Sequence, residues 1–190
     1  TDNNNQVVVK FDGNVDLATA TTAANYTVDG AVVESAVATG DTTNVITLTL
    51  KADSNTFTGI RNVTVKNVKK LNGTTAMDTQ TMVSASLNEN VAPTVVSAVL
   101  VSTTEVKLTF SEAVNAGTAA DFVLLVGGEE VTTTVTTGVA SDNTVVLTLG
   151  TAVSTADLNK GLAIKAATTL DITDLLDNKL SVPTSITIAQ

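Results

Sequence analysis

The 190-residue chain has no cysteine, no histidine and no tryptophan. Without cysteine there is neither a disulfide framework nor a thiolate metal site. Without histidine the commonest general base and the commonest transition-metal ligand are missing. Aromatic residues make up only 3% of the chain and Tyr26 is its one tyrosine, so a stacking platform for sugars or bases is not expected. Ten basic residues stand against nineteen acidic ones, a net charge of −9 that repels phosphate backbones and argues against nucleic acid as a partner. No apolar run reaches the roughly 20 residues of a membrane-spanning helix. Membrane insertion is therefore not expected. No basic, apolar, small-residue leader opens the chain, which reads as a mature fragment of something longer. A serine hydrolase elbow of the Gly-x-Ser-x-Gly kind is absent too. An enzyme is not expected; a convergent pair of buried, perturbed carboxylates in a pocket would be needed to revive that reading.

What the chain does contain is itself, nearly twice. Phe11, Leu48, Lys66 and Asp78 recur as Phe110, Leu147, Lys165 and Asp177. Within each copy, apolar residues alternate with threonine, lysine or asparagine: Val7, Val9, Phe11; Ile46, Leu48, Leu50; Val63, Val65. The second copy repeats the stripes as Val106, Leu108, Phe110, then Val145, Leu147, Leu149, then Leu162 and Ile164. A period of two is that of strands with one face in a core and one in water. Threonine suits the wet face because it is β-branched yet polar. Breaker clusters at Asp41 to Asn44, Gly127 to Glu130 and Ser141 to Asn143 separate the strands, and Gly127-Gly128 reads as a hairpin turn. Thr118 to Asp121 and Ser154 to Lys160 each open on a hydroxyl residue and are expected to form no more than a helical turn or two. The expected fold is all-β, two tandem β-sandwich domains at 1–90 and 91–190 joined by the short linker Asn88 to Pro93, which favours an extended rod. The second copy has an additional strand, Thr94 to Val101, whose counterpart falls almost entirely before Thr1, so the first domain is expected to lack its opening strand.

At 92–115 the chain reads APTVVSAVLVSTTEVKLTFSEAVN, followed by ADFVLLVGG at 120–128, NTVVLTL at 143–149 and DLLDNKL at 174–180. This succession resembles the immunoglobulin-like domains repeated in bacterial surface-layer (S-layer) proteins of the Bacillus and Geobacillus type. The likeness covers essentially the whole chain and is better in the second copy. Asp177 stands where that pattern commonly has glycine, and Asn178 beside it is the expected left-handed residue of the turn. The resemblance implies an immunoglobulin-like sandwich, an extracellular, cell-wall location, and calcium as an ordering ion.

Carboxylates are the one chemical resource in quantity. Asp171, Asp174 and Asp177 recur every third residue around the turn before the last strand, a spacing from which carboxylates and backbone carbonyls would offer calcium a hard oxygen shell. The alternative is that these aspartates cap local backbone amides. The corresponding positions of the first copy are Asn72, Thr75 and Asp78, so a repeated site is not expected. Glu89 in the linker and Glu112 in the turn after the second strand are further candidates, since a cation between modules would stiffen a rod. Lys66, Lys69 and Lys70 form a small basic group read as a wet strand end.

Together these readings describe a structural component of a bacterial surface layer that requires no cofactor, with calcium as its candidate ion, assembles with other copies of itself, and meets cell-wall polymer through domains outside this fragment. The alternative is a stalk or ligand-binding module of an adhesin or a secreted multidomain hydrolase, which an exposed aromatic row or a deep cleft would favour.

Overall fold

The computed structural model describes residues 4–41, 43–117 and 120–190, the side chains of residues 82–85 excepted. The chain divides into two compact units, Thr1–Val91 and Ala92–Gln190. The first contains strands β1 (Gln6–Lys10), β2 (Tyr26–Val28), β3 (Val33–Ala38), β4 (Val45–Leu50), β5 (Gly59–Val65) and β6 (Gln80–Leu87), with a helical turn α1 (Leu17–Ala20) between β1 and β2. They form two antiparallel three-stranded sheets, β1-β4-β3 and β2-β5-β6. One core joins their inner faces: Val7, Val9, Ile46, Leu48 and Leu50 from the first sheet meet Tyr26, Val28, Val63 and Val65 from the second. The alternating stripes read from the sequence are these inward rows.

The second unit runs β7 (Val95–Ser102), β8 (Glu105–Phe110), β9 (Val114–Asn115), β10 (Phe122–Val126), β11 (Glu129–Glu130), β12 (Val135–Thr137), β13 (Thr144–Leu149), helix α2 (Thr155–Lys160), β14 (Leu162–Ala166), β15 (Thr173–Asp174) and β16 (Ile186–Thr187). Four-stranded sheets β12-β13-β8-β7 and β11-β10-β14-β16, with the small pair β15-β9, enclose a core that includes Val106, Leu108, Phe110, Phe122, Leu124, Leu147 and Ile164. The fold is all-β, built from antiparallel sheets in an arrangement consistent with a β-sandwich in each unit.

The repeat is also visible in the ladders. Val7 faces Leu48 and Val9 faces Ile46, while Val106 faces Leu147 and Leu108 faces Val145, each pair 99 residues on. β7 has no counterpart among the described residues of the first unit, whose β1 is an edge strand. Local chemistry sets the remaining details. Gly127 and Gly128 both have positive φ, 61° and 89°, as a tight hairpin between β10 and β11 requires. Ser154 caps α2 reciprocally with Asp157, and the exposed Asp157 carboxyl is lowered by its bonds from the Ser154 hydroxyl and backbone N–H. Of the other expected helical turn, Thr118 and Ala119 lie outside the described residues, and Ala120 and Asp121 are not helical.

The expected linker is largely structure. Asn90 is buried; its carboxamide donates to Asn5 Oδ1 (2.7 Å) and Lys51 O (3.0 Å) and accepts the Asn55 N–H (2.8 Å), so Asn88 to Asn90 belong to the first unit. The fully buried Asn55 also accepts two bonds from Arg61, itself only 2% exposed and stacked 3.3 Å from the Phe57 ring centroid. On the other side, the Pro93 carbonyl accepts the Ser181 N–H within the second unit.

Candidate cation site

The turn between β15 and the closing segment is organised by one carboxylate. Asp174 is 1% exposed. Its Oδ1 accepts the backbone N–H groups of Leu176 and Asn178, both at 2.8 Å, and its Oδ2 accepts Asn178 Nδ2 at 2.8 Å. The Asp174 N–H in turn donates to the Asn178 carbonyl. A buried carboxylate with three donors is strongly held, and the turn is built around it. The sharp reversal falls on Asp177, with φ of 66°. Asn178 was the expected left-handed residue, but it is committed inward to Asp174 and the exposed Asp177 takes the positive φ instead. Aspartate tolerates this conformation better than most residues because its short polar side chain is compatible with the left-handed region.

Glu112 follows β8 and is half-buried. One of its carboxylate oxygens lies within 4.8 Å of an Asp174 oxygen. Burial, and next the negative charge of Asp174, push the Glu112 carboxyl above its usual range. Two convergent carboxylates are hard oxygen donors of the class calcium prefers. Three donors already occupy Asp174, so a cation held here would take Glu112 as its principal carboxylate and complete its shell from water or carbonyl oxygen.

The three-residue spacing does not make a site. Among the described residues, Asp171, Asp174 and Asp177 do not converge: Asp174 faces Glu112, Asp177 is exposed, and Asp171 is drawn to a residue that sequence reasoning passed over. That residue is Asp121, fully buried at the start of β10. Its Oδ1 accepts the Asp171 N–H at 3.0 Å and its Oδ2 accepts the Thr137 hydroxyl at 2.5 Å. Burial is the main cause that pushes its carboxyl up. The Thr137 and Asp171 N–H bonds oppose this, and the Asp171 carboxyl adds to it. Gly117 is required alongside, because a Cβ there would sit 1.4 Å from Asp171 Oδ1. The only signal in the sequence was an aspartate immediately before the apolar run Phe122 to Val126. Both Asp121 oxygens accept hydrogen bonds, and neither carboxylate is among the described residues that line the neighbouring depressions of about 340 and 480 Å³.

Glu89 sits in the first unit, where its Oε2 accepts the Val91 N–H at 2.7 Å and its own N–H donates to Thr58 Oγ1. The second copy also departs from a uniform offset at this place. Val15 bridges Lys70 just as Val114 faces Asp174, so the structural counterpart of Asp174 is Lys70 and not Thr75. Five additional residues, in the stretch that carries Asp171, separate β14 from β15. A cationic side chain thus stands at the position equivalent to Asp174, which weighs against a repeated cation site in the first unit.

Among the described residues, no helix is long and apolar enough to cross a membrane. Compared with family models, curated proteins and solved structures, the chain matches none.

Proposed function

We propose that this chain is a structural part of a bacterial surface layer, two tandem immunoglobulin-like sandwiches that hold geometry and present faces for lateral assembly with other copies outside the cell. One observation carries the reading: each unit has its own aliphatic core, and Asp121, Asp174, Asn55, Arg61 and Asn90 in its interior are spent on holding that unit together. Asp174 organises a turn, Asp121 accepts two bonds, and Asn55, Arg61 and Asn90 form a closed network. Packing rather than turnover is the work such an interior supports. Calcium enters this reading through Glu112, with Asp174 behind it, as an ion that orders the second unit or its contacts.

A carbohydrate-binding stalk is less well supported. Among the described residues Phe57 is the one largely exposed aromatic, at 55%, and its ring is covered on one face by Arg61. The test is assembly of the intact surface protein, followed by light scattering and electron microscopy as protein and calcium concentrations are varied. Ordered sheets that form on calcium addition, and form less readily with Glu112→Gln, are expected. A protein that stays monomeric under every condition sinks the proposal.

A further inference from the structure

The sheet β12-β13-β8-β7 turns Val106, Leu108, Val145 and Leu147 into the core of the second unit. Alternate residues therefore point the other way, and that outer face is not a plain threonine surface. Lys107 of β8 stands in register between Val99 of β7 and Val146 of β13, which are 39% and 37% exposed. The β7 ladder shifts register twice, between Val95 and Ser97 and between Leu100 and Ser102. Each shift inserts one more outward residue, Val96 opposite Thr109 and Val101 opposite Glu105, and these valines are 66% and 52% exposed. Scattered exposed valines need no explanation, but four on one sheet face form a patch.

The charges on this face are as selective as its valines. Glu105 and Lys107 are the only charged residues in the four strands, and they cancel, in a chain whose net charge is −9. Neither is spent inside the unit. Among the described residues the one ion pair is Lys165 with Glu130, and Glu105 accepts only the exposed Ser102 hydroxyl, at 3.2 Å. Two chains of net charge −9 repel each other over most of their surface; here they can approach without meeting an excess of either sign.

We infer that the outer face of β12-β13-β8-β7 is a self-complementary contact, which packs antiparallel on the same face of a second copy about a two-fold axis over Val106. That operation sets each copy's Lys107 against the other's Glu105, and lays the row of Val99 and Val146 over the row of Val101 and Thr148. The inference rests on the surface-layer reading and names the face on which copies meet. A polymer of one charge sign fits less well, because it would attract one of the two charged side chains and repel the other. From ordinary strand spacings the face covers roughly 400 Å² on each copy, so the contact buries about 800 Å², less than the about 1,200 Å² of a stable pair. Such a contact does not hold a dimer together in dilute solution; it acts in an array, where neighbours already tethered meet at high effective concentration.

The experiment uses the whole chain, followed by sedimentation equilibrium and amide NMR shifts up to about 1 mM, where a contact of this size is populated. Weak self-association is expected, with shifts that move at Val99, Glu105, Lys107 and Val146 and stay fixed in β10 and β14. Lys107→Glu and Glu105→Lys each oppose like charges at two equivalent places and should weaken association by about tenfold or more. Both side chains are exposed, so urea midpoints should stay unchanged and show that the fold is kept. An equimolar mixture of the two variants regains complementary pairs and should associate as well as the original chain. A chain that stays monomeric to about 1 mM, a mixture that associates no better than either variant alone, or shifts confined to other faces would each overturn the inference. The two readings fail separately. Sheets of the intact surface protein that form undiminished with Lys107→Glu overturn this face and leave the surface-layer reading standing, whereas a dimer with the expected pattern and no sheets does the reverse.

Discussion

If Asp174 is a turn organiser first, its removal must destabilise the second unit whether or not calcium is present. In Asp174→Ala three donors lose their acceptor: the Leu176 N–H, the Asn178 N–H and Asn178 Nδ2. Leu176 is half-buried and its N–H can turn to water, but Asn178 is 9% exposed and its two donors are stranded. Hydrogen bonds to a charged acceptor contribute about 1.5–3 kcal/mol each, so two stranded donors put the loss at about 3–6 kcal/mol. That is a large fraction of the about 5–15 kcal/mol that holds a domain folded. With a urea dependence of about 1–2 kcal/mol per molar, the midpoint should fall by about 1.5 M or more. Asp174→Asn keeps an acceptor for the backbone groups and sets its amide against Asn178, and should lose about half as much. The assay is urea unfolding followed by circular dichroism, in EDTA and again in calcium. Tyr26, the only tyrosine, lies in the first unit, and its fluorescence supplies an internal reference. A loss below about 1 kcal/mol in EDTA, with a large loss appearing only in calcium, would refute the reasoning and make Asp174 a ligand before a staple.

Three further outcomes are expected. The Tyr26 hydroxyl donates to the Ala20 carbonyl at 2.6 Å and its pKa is pushed up to about 12 by burial. A phenol that holds its proton more tightly when folded stabilises the first unit below the unfolded value of about 10 and loses that contribution as pH rises toward 12, which absorbance at 295 nm should show as a late phenolate transition coupled to unfolding. Asp121 is a raised carboxyl, so the second unit should gain stability as pH falls through its folded pKa; Asp171→Asn should stabilise that unit at pH 7 by on the order of 1 kcal/mol and the gain should vanish toward pH 4, measured by urea midpoints across pH. Arg61→Met retains much of the apolar stem but strands Asn55 Oδ1 and the Phe57 carbonyl, and should cost the first unit about 2–4 kcal/mol in thermal unfolding with β-sheet content retained below the transition.

The strand stripes were legible because period-two alternation is a local property: Val106, Leu108 and Phe110 face inward wherever the rest of the chain goes. The division of the chain was legible for a different reason, the offset of 99 between matched positions in β1 and β8. That offset also misled. It aligned Asp174 with Thr75, since a fixed shift cannot register the five additional residues before β15, and only the ladder partners Val15 and Val114 reveal Lys70 as the counterpart. Equal spacing of Asp171, Asp174 and Asp177 suggested convergence, yet each carboxylate is aimed by the loop or turn in which it sits, and those directions depend on distant partners such as Asp121 and Glu112. Asp121 showed only as an aspartate before an apolar run, and Asn55 and Arg61 gave no signal, because polar residues read as solvent-facing until the opposite strand is known.

This distribution of polar groups follows from the shortage of aromatics. A core made of valine, leucine and isoleucine excludes water but discriminates weakly between registers, because one aliphatic row packs on another almost as well when slipped. A buried carboxylate or carboxamide does discriminate, since a shift of two residues that keeps every valine inside would leave Asp174, Asn90 or Asp121 without its donors, at about 1–3 kcal/mol for each stranded group. The satisfied polar side chains in these cores are thus the counterpart of the missing tryptophan and scarce tyrosine. It also confines any cation effect to carboxylates that retain a free face toward solvent. Calcium acting through Glu112 should change the exchange of amides around the Ser111 to Val114 turn and leave those of β10 and β14 untouched, a separation that residue-resolved hydrogen exchange measures directly.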